Sequence, residues 1–265
     1  MSAPTRAKVR SNRERYSVLE PDAPHGPHEL RRAESALIRA HLDPARRTVE
    51  AGTGGGRIVR GLQAHGFTDV EGFDFLPEMV EKARADDATG TIRFEVHDAA
   101  ALGYPDRSFG QAVYLDSLLA LIESPEDRRR ALREASRVLE PGGVFVLSVP
   151  CYDGPKDTPS KKLMHSPYRT YLAALRRLRR SEVSPQELPP LRLAGQFNPG
   201  FLLDHGPYHY WFRPAEIVRM VRAAGFRIDR IGSRSQVEAG AMSTSPECMP
   251  PPSDNFVYLV CSKPG

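Results

Sequence analysis

Between Arg46 and Leu62 the chain reads RRTVEAGTGGGRIVRGL, with four glycines, Gly52, Gly54, Gly55 and Gly56, in five positions. A short β-branched run precedes them and a helix-like run follows. Such a turn brings backbone amides close to a nucleotide, because no Cβ stands in the way and a helix N-terminus is partly positive. A phosphate loop needs Lys followed by Ser or Thr after its last glycine; here Arg57-Ile58-Val59 follows. A dinucleotide fingerprint counted from Gly52 and Gly54 needs Gly or Ala where Arg57 stands. That side chain would obstruct close strand–helix packing, which disfavours the reading and leaves it open. Glu50 to Gly56 takes instead the form acid-x-G-x-G-x-G. Two further acids end apolar runs, Asp74 in EGFDF and Asp98 in FEVHD. A third group, LLDHGPYHYWFRP, gathers His205, Tyr208, His209, Tyr210 and Trp211, among them side chains able to take a proton from a nucleophile. His205 and His209 are four apart, but Gly206-Pro207 breaks any helix between them, so no metal pair is expected.

The elements that must carry these residues follow from periodicity. HELRRAESALIRAHL, from His28, puts Leu30, Ala33, Leu37 and Ala40 on one helical face and ends at Asp43-Pro44. TVEAG is a strand into the glycines, and RIVRGLQAHG a helix stopped by Gly66. TDVEGFDF is a second strand, PEMVEKARADD a helix opening on Pro77, TIRFEVHD a third strand and FGQAVYL a fourth. SPEDRRRALREASRVLEPGG is a helix capped by Ser124 and closed by Gly142; VFVLSVP, apolar throughout, is a fifth strand buried on both faces. PAEIVRMVRAAG is a helix, and FRIDRIGS and NFVYLVCSK are strands with no helix between them, so the last pair runs antiparallel.

This alternation predicts an α/β, doubly wound, seven-stranded sheet, mostly parallel with the last strand antiparallel. The expected division is a loose arm at 1–27, a core at 28–150, an inserted cap at 151–213 between strand 5 and the next helix, and completion of the core by 214–265.

With these motifs in order, the chain resembles the class I S-adenosylmethionine-dependent methyltransferases. The resemblance is close over about residues 45–150 and extends over the terminal helix and strand pair, not over the insertion. Its carriers are EAGTGGG, GFDFLPEMVEKA, FEVHDAAAL, SFGQAVYLDSLL and REASRVLEPGGVFVLSVP. Gly110 departs from the pattern where many relatives carry an acid, which bears on strand 4 rather than on chemistry. The resemblance implies S-adenosylmethionine as cofactor, held by Glu50, Gly52, Gly54, Gly56, Asp74, Phe75, Asp98, Ala99 and Leu115. Asp74 would accept both ribose hydroxyls, Asp98 the adenine amino group, and the Ala99 amide would donate to a ring nitrogen. Phe75 or Leu76 would cover an adenine face, and Leu115 would lie near the sugar and methionine chain. The plainer alternatives are turn-capping acids for Asp74 and Asp98, and an arginine-paired acid for Glu50.

Methyl transfer from a sulfonium is in-line displacement with an activated leaving group, so alignment and desolvation dominate, and a base is needed only for a protonated nucleophile. His209, with His205 and Tyr208, is the candidate base; for Tyr210, Trp211 and Phe212 the alternative is packing of the cap on the sheet. Tyr16 could fold over the cofactor, or belong to a loose tail. YRTYLAALRRLRR puts Tyr168, Tyr171, Leu172, Leu175 and Leu178 on one face, with Arg176, Arg177, Arg179 and Arg180 at its end. Those arginines read as a solvated side or as a docking patch for an acidic carrier, a phosphorylated substrate or RNA.

The 265 residues are 40% apolar and 26% charged, enough for a core and against disorder. Net charge is +4 and carried mostly by arginine, as GC-rich coding would give. Cys151, Cys248 and Cys261 are far apart and form no CxxC pair. No apolar leader or spanning run occurs, so a cytoplasmic protein without membrane contact is expected. The favoured function is methylation of an O, N or C nucleophile on a small molecule, a secondary metabolite or a carrier- or peptide-bound intermediate. The alternatives are a macromolecule methyltransferase docking through the arginines and a non-catalytic binding protein; a nicotinamide oxidoreductase is more distant. Nucleic acid is not favoured, because one short basic cluster lacks interleaved aromatics. Oligomeric state is not legible.

Overall fold

In the computed structural model, residues 29–153, 167–193, 196–248 and 254–265 are described. The expected arm at 1–27, including Tyr16, lies outside them. The chain order is α1 (Arg32–His41), β1 (Thr48–Ala51), α2 (Arg57–Ala64), β2 (Val70–Asp74), α3 (Pro77–Ala85), β3 (Arg93–Val96), β4 (Phe109–Tyr114), α4 (Leu118–Leu121), α5 (Pro125–Val138) and β5 (Leu139–Pro150). After β5 come α6 (Pro167–Arg179), three two-residue strands β6 (Glu187–Leu188), β7 (Arg192–Leu193) and β8 (Gln196–Phe197), α7 (Gly200–Leu203) and β9 (His209–Tyr210). The chain closes with α8 (Pro214–Ala223), β10 (Arg227–Ser233), α9 (Arg234–Glu238) and β11 (Phe256–Ser262).

Seven strands form one sheet in the order β3-β2-β1-β4-β5-β11-β10. Strand β11 runs antiparallel to both neighbours, and the other pairings are parallel. The expected sheet is therefore present. Its order reverses direction between β1 and β4, and ligands of open α/β sheets bind at the carboxyl ends beside such a switch. Both faces are buried. Phe145, Leu147 and Val149 of β5 pack with α5 and α8, while Val146 joins Leu37, Ile38, Ile58 and Leu62 on the other face. That two-sided burial is why VFVLSVP is apolar throughout.

Several expectations are corrected. Helix α1 buries Ala33, Glu34, Leu37 and Ile38, and Ala40 is exposed. Helix α5 stops at Val138, and Leu139-Glu140-Pro141-Gly142-Gly143 already belongs to β5. Gly142 takes φ +74° there and its amide donates to Lys263 O (2.8 Å). The short helix α9 does separate β10 from β11. Gly110 sits where the β4–β5 register shifts, and a Cβ on it would lie 2.6 Å from Arg46 Nε.

Helix α6 turns a different face inward from the expected one. Tyr168, Leu172 and Arg176 are buried, while Tyr171 and Leu178 are exposed. Arg176 takes a core position because Asp204 receives it at 2.7 Å (Nε) and 2.6 Å (Nη2), and the carbonyls of Ser184 and Glu187 accept two more of its donors (2.7 Å each). It is thus no part of a basic outer surface. Tyr168, stacked on Phe201 at 3.9 Å, forms with Leu172 and Leu188 an apolar cluster belonging to this segment, against which Trp211 packs. Tyr210 donates to Glu216 (2.5 Å) under the Arg128 guanidinium, and Phe212 joins the main core, so these aromatics fasten the segment to the sheet.

Candidate cofactor and acceptor site

A cleft of about 330 Å³ opens at the carboxyl ends of β1, β2, β3 and β4. Its wall includes Gly52, Gly54, Asp74, Phe75, Asp98, Ala99 and Leu115, seven of the nine positions the resemblance nominated. Glu50 and Gly56 are not among the lining residues. Gly52, Gly54 and Gly56 take φ +69°, +50° and +82°, a region that strains other residues, so the loop requires glycine at each. A Cβ on Gly52 would sit 2.6 Å from Leu118 Cδ1 across the cleft.

Asp74 ends β2 and is buried. Its Oδ2 accepts from Gly54 N (2.9 Å) and its Oδ1 from Leu76 N (3.0 Å). Burial pushes its carboxyl up and those amides pull it down, with burial the larger effect. A carboxylate offers about four lone-pair sites, more than these backbone amides use, and Asp74 lines the cleft, which is the capacity a diol needs. Asp98 is exposed at the rim, and its Oδ1 accepts from Ala100 N (2.8 Å). Glu50 lies fully buried, its carboxyl pushed well up by burial. Its Oε2 and the Thr53 Oγ1 have no hydrogen-bond partner among the described residues.

Sequence reasoning missed the far wall: Asp116, Leu118, Leu121, Ile122, Glu123 and Asp127. Asp116 lies two residues beyond the end of β4, a third acid near a strand end beside Asp74 and Asp98. It and Ser117 hold φ +52° and +72°, which turns α4 over the cleft. Asp116 pairs with Arg57 (3.1 Å) and, more closely, with Arg31. Burial pushes its carboxyl up, but the two guanidinium groups outweigh this and hold it low.

His209 on β9 packs beside α4, where the Asp116 charge reaches it. Burial lowers its imidazole to about 4, partly opposed by Asp116. His205 is exposed, and the Tyr208 hydroxyl donates to Asp204 O (2.6 Å); neither lines the cleft. His209 does not line the cleft either; of the three it is the one on a strand packed beside α4, whose Leu118 and Leu121 do.

Among the described residues the lining holds five acids, Asp74, Asp98, Asp116, Glu123 and Asp127, and no Lys or Arg. Such a wall repels phosphates and suits a ligand bearing positive charge. The glycine cradle, with the N-terminus of α2 beside it, suits instead the carboxylate end of such a ligand.

Residues 49–147 match the family profile described as a methyltransferase domain. A demethylmenaquinone methyltransferase of Deinococcus radiodurans is 36% identical over 120 residues, 44% of this chain and 47% of that protein. A Bos taurus protein named EEF1A lysine methyltransferase 4 is 31% identical over 122 residues, 42% of this chain and 48% of that protein. The chain thus spans about half the length of these curated relatives. The CcbJ methyltransferase of Streptomyces caelestis superposes with TM-score 0.60, covering 94% of this chain and 96% of that one at 18% identity, a likeness of fold. Residues 49–147 are a class I S-adenosylmethionine-dependent methyltransferase domain, and S-adenosylmethionine is its cofactor.

Proposed function

We propose that the protein methylates a nucleophilic O, N or C atom of a small molecule, a secondary metabolite or a carrier- or peptide-bound intermediate. The observation that carries this reading is the cleft wall of five acids with no Lys or Arg among the described lining residues. S-adenosylmethionine, when bound, supplies an electrophilic methyl group on a positively charged sulfur. Asp74 would accept the ribose hydroxyls, and the glycine loop would receive the amino-acid end above the buried Glu50. Phe75, Leu76, Asp98 and Ala99 would bound the adenine.

The acceptor would enter beside α4, between Asp116 and the β6–β9 segment, which acts in this reading as the cap. His209 stays neutral at neutral pH because burial disfavours its charge. It can take a proton from an incoming hydroxyl or ammonium, and the negative Asp116 would stabilise the resulting imidazolium. Exclusion of water by Leu118, Leu121 and Ile122 strengthens that attraction.

A macromolecular acceptor is the second reading, favoured by the bovine relative's name. It would dock through Arg177, Arg179 and Arg180 without Arg176, which is buried.

Calorimetric titration with S-adenosylhomocysteine, beside NADH and NADPH, tests the proposal. Micromolar affinity for S-adenosylhomocysteine alone, lost in Asp74→Ala with the fold retained, is the expected result. Preference for a nicotinamide, or unchanged affinity in Asp74→Ala, would overturn the assignment. A screen of methyl acceptors then separates small molecules from proteins.

A further inference from the structure

Among the described residues six large apolar side chains are exposed, and five of them, Tyr171, Leu178, Phe197, Leu202 and Leu203, fall between positions 171 and 203. Four belong to α6 and α7 and are tied together. The Tyr171 hydroxyl donates to Leu202 O (2.6 Å) and the Arg179 guanidinium to Leu203 O (2.8 Å). Tyr171 and Leu178 are seven apart and share one helical face, turned away from the buried Tyr168, Leu172 and Arg176. Leu178 stands 84% exposed. Apolar side chains gathered in this way on a surface mark an interaction site.

The charge around the patch has one sign. Arg177, Arg179 and Arg180 flank Leu178 and are exposed. Between Pro167 and Leu203 the only acids are Glu182 and Glu187, and Glu187 is occupied by the Ser184 amide (3.0 Å).

The polar groups inside the patch are already satisfied by one another, Tyr171 and Arg179 serving the last carbonyls of α7. What it offers outward is hydrocarbon ringed by cations, with few directional hydrogen bonds for a protein to read. A second copy across a two-fold axis would set the same arginines against each other. An anionic lipid surface needs only what is present, leucines for the acyl boundary and guanidinium groups for the phosphates. We propose that the α6–α7 face is a peripheral docking surface for anionic phospholipid membranes, with Leu178, Leu202 and Leu203 entering the interface and Arg177 and Arg180 at the headgroups. No helix among the described residues is long and apolar enough to cross a membrane, so this is surface association. It stands independently of the methyl-transfer reading.

The test is sedimentation of the full chain with large unilamellar vesicles, phosphatidylcholine alone or mixed with phosphatidylglycerol. It is run at about 0.05 M and about 0.5 M sodium chloride. Leu178→Glu/Leu202→Glu and Arg177→Glu/Arg180→Glu are compared with the unaltered chain. Binding should be confined to the mixed vesicles at low salt and fall by about tenfold or more at high salt. Each double variant should weaken it by about tenfold or more while circular dichroism and Tm stay unchanged. Failure of the unaltered chain to sediment, or sedimentation indifferent to both variants, overturns the proposal. Failure together with a dimer that Leu178→Glu/Leu202→Glu dissolves assigns the face to a second copy. Failure together with salt-sensitive binding of a purified acidic carrier protein assigns it to a protein.

Discussion

Arg57, the first residue of α2, closes a two-pronged ion pair on Glu34 of α1, at 2.6 and 3.0 Å. Glu34 is buried, so this guanidinium neutralises a carboxylate that water cannot reach. The residue that spoils the dinucleotide fingerprint thus has a use of its own. It ties α1 to the glycine loop and reaches on to Asp116. Arg57→Ala leaves Glu34 with Arg31 alone, a half-exposed partner at 3.3 Å. Loss of about 2 to 4 kcal/mol in urea unfolding is expected. Arg57→Lys should restore part of it, since a point charge cannot serve both oxygens. A variant as stable as the parent would show the network to be marginal.

Gly52→Ala addresses the cradle. The substitution adds a Cβ at φ +69° and 2.6 Å from Leu118 Cδ1, so the loop is strained and Leu118 is pushed along the cleft wall. The cost in stability should be about 1 to 2 kcal/mol. Affinity for S-adenosylhomocysteine should fall by more than that in free energy, because the added methyl also occupies the wall of the cleft. A drop in Tm with unaltered affinity would separate the glycine from the ligand.

His209 makes a pH signature. Its imidazole sits near 4 in the fold against an ordinary value of 6.5. Below pH 6.5 the unfolded chain takes up a proton there that the folded chain refuses until about pH 4. Stability therefore declines as pH falls through that window and is fully present above it. The decline is about 3 kcal/mol. His209→Gln should unfold with a flatter profile between pH 7 and pH 4.5, and should turn over more slowly with unchanged cofactor affinity. Parallel profiles would place the titration elsewhere, and an unaltered rate would remove His209 as the base.

The core was legible because its signals are local and repeated. Strand-ending acids, the PGG after a helix and the prolines at first turns each announce themselves within a few residues, and parallel strands buried on both faces need continuous apolar runs. Asp74 and Asp98 were readable because each closes such a run. Asp116 was not, because SLLALI after it looks like more of the same apolar run; the turn depends on two left-handed residues, Asp116 and Ser117, that no glycine marks. The face of α6 was misread for a related reason. Periodicity treats arginine as outward, and only the long-range Asp204 carboxylate makes an inward Arg176 tolerable. His205 and Tyr208 were grouped with His209 by sequence proximity, but the turn at Gly206-Pro207 and the Tyr208–Asp204 bond point them to other tasks.

Arg176 and Asp204 supply the last prediction. Both side chains are buried, and between them they join α6, the β6 strand and the end of α7. Removing one charge strands the other, which costs about 3 to 5 kcal/mol, whereas replacing both by apolar groups of similar shape costs far less. Asp204→Asn and Arg176→Met should therefore each loosen the segment from residue 167 to residue 210, and the pair Arg176→Met/Asp204→Leu should recover much of the loss. Because the main sheet has a separate core, loosening should appear as faster proteolysis within this segment while global unfolding of the sheet shifts little. His209 lies at the end of that segment, so turnover should fall with proteolytic sensitivity and S-adenosylhomocysteine affinity should hold. Uniform destabilisation of the whole chain, with affinity lost in step, would instead make the segment an inseparable part of the core.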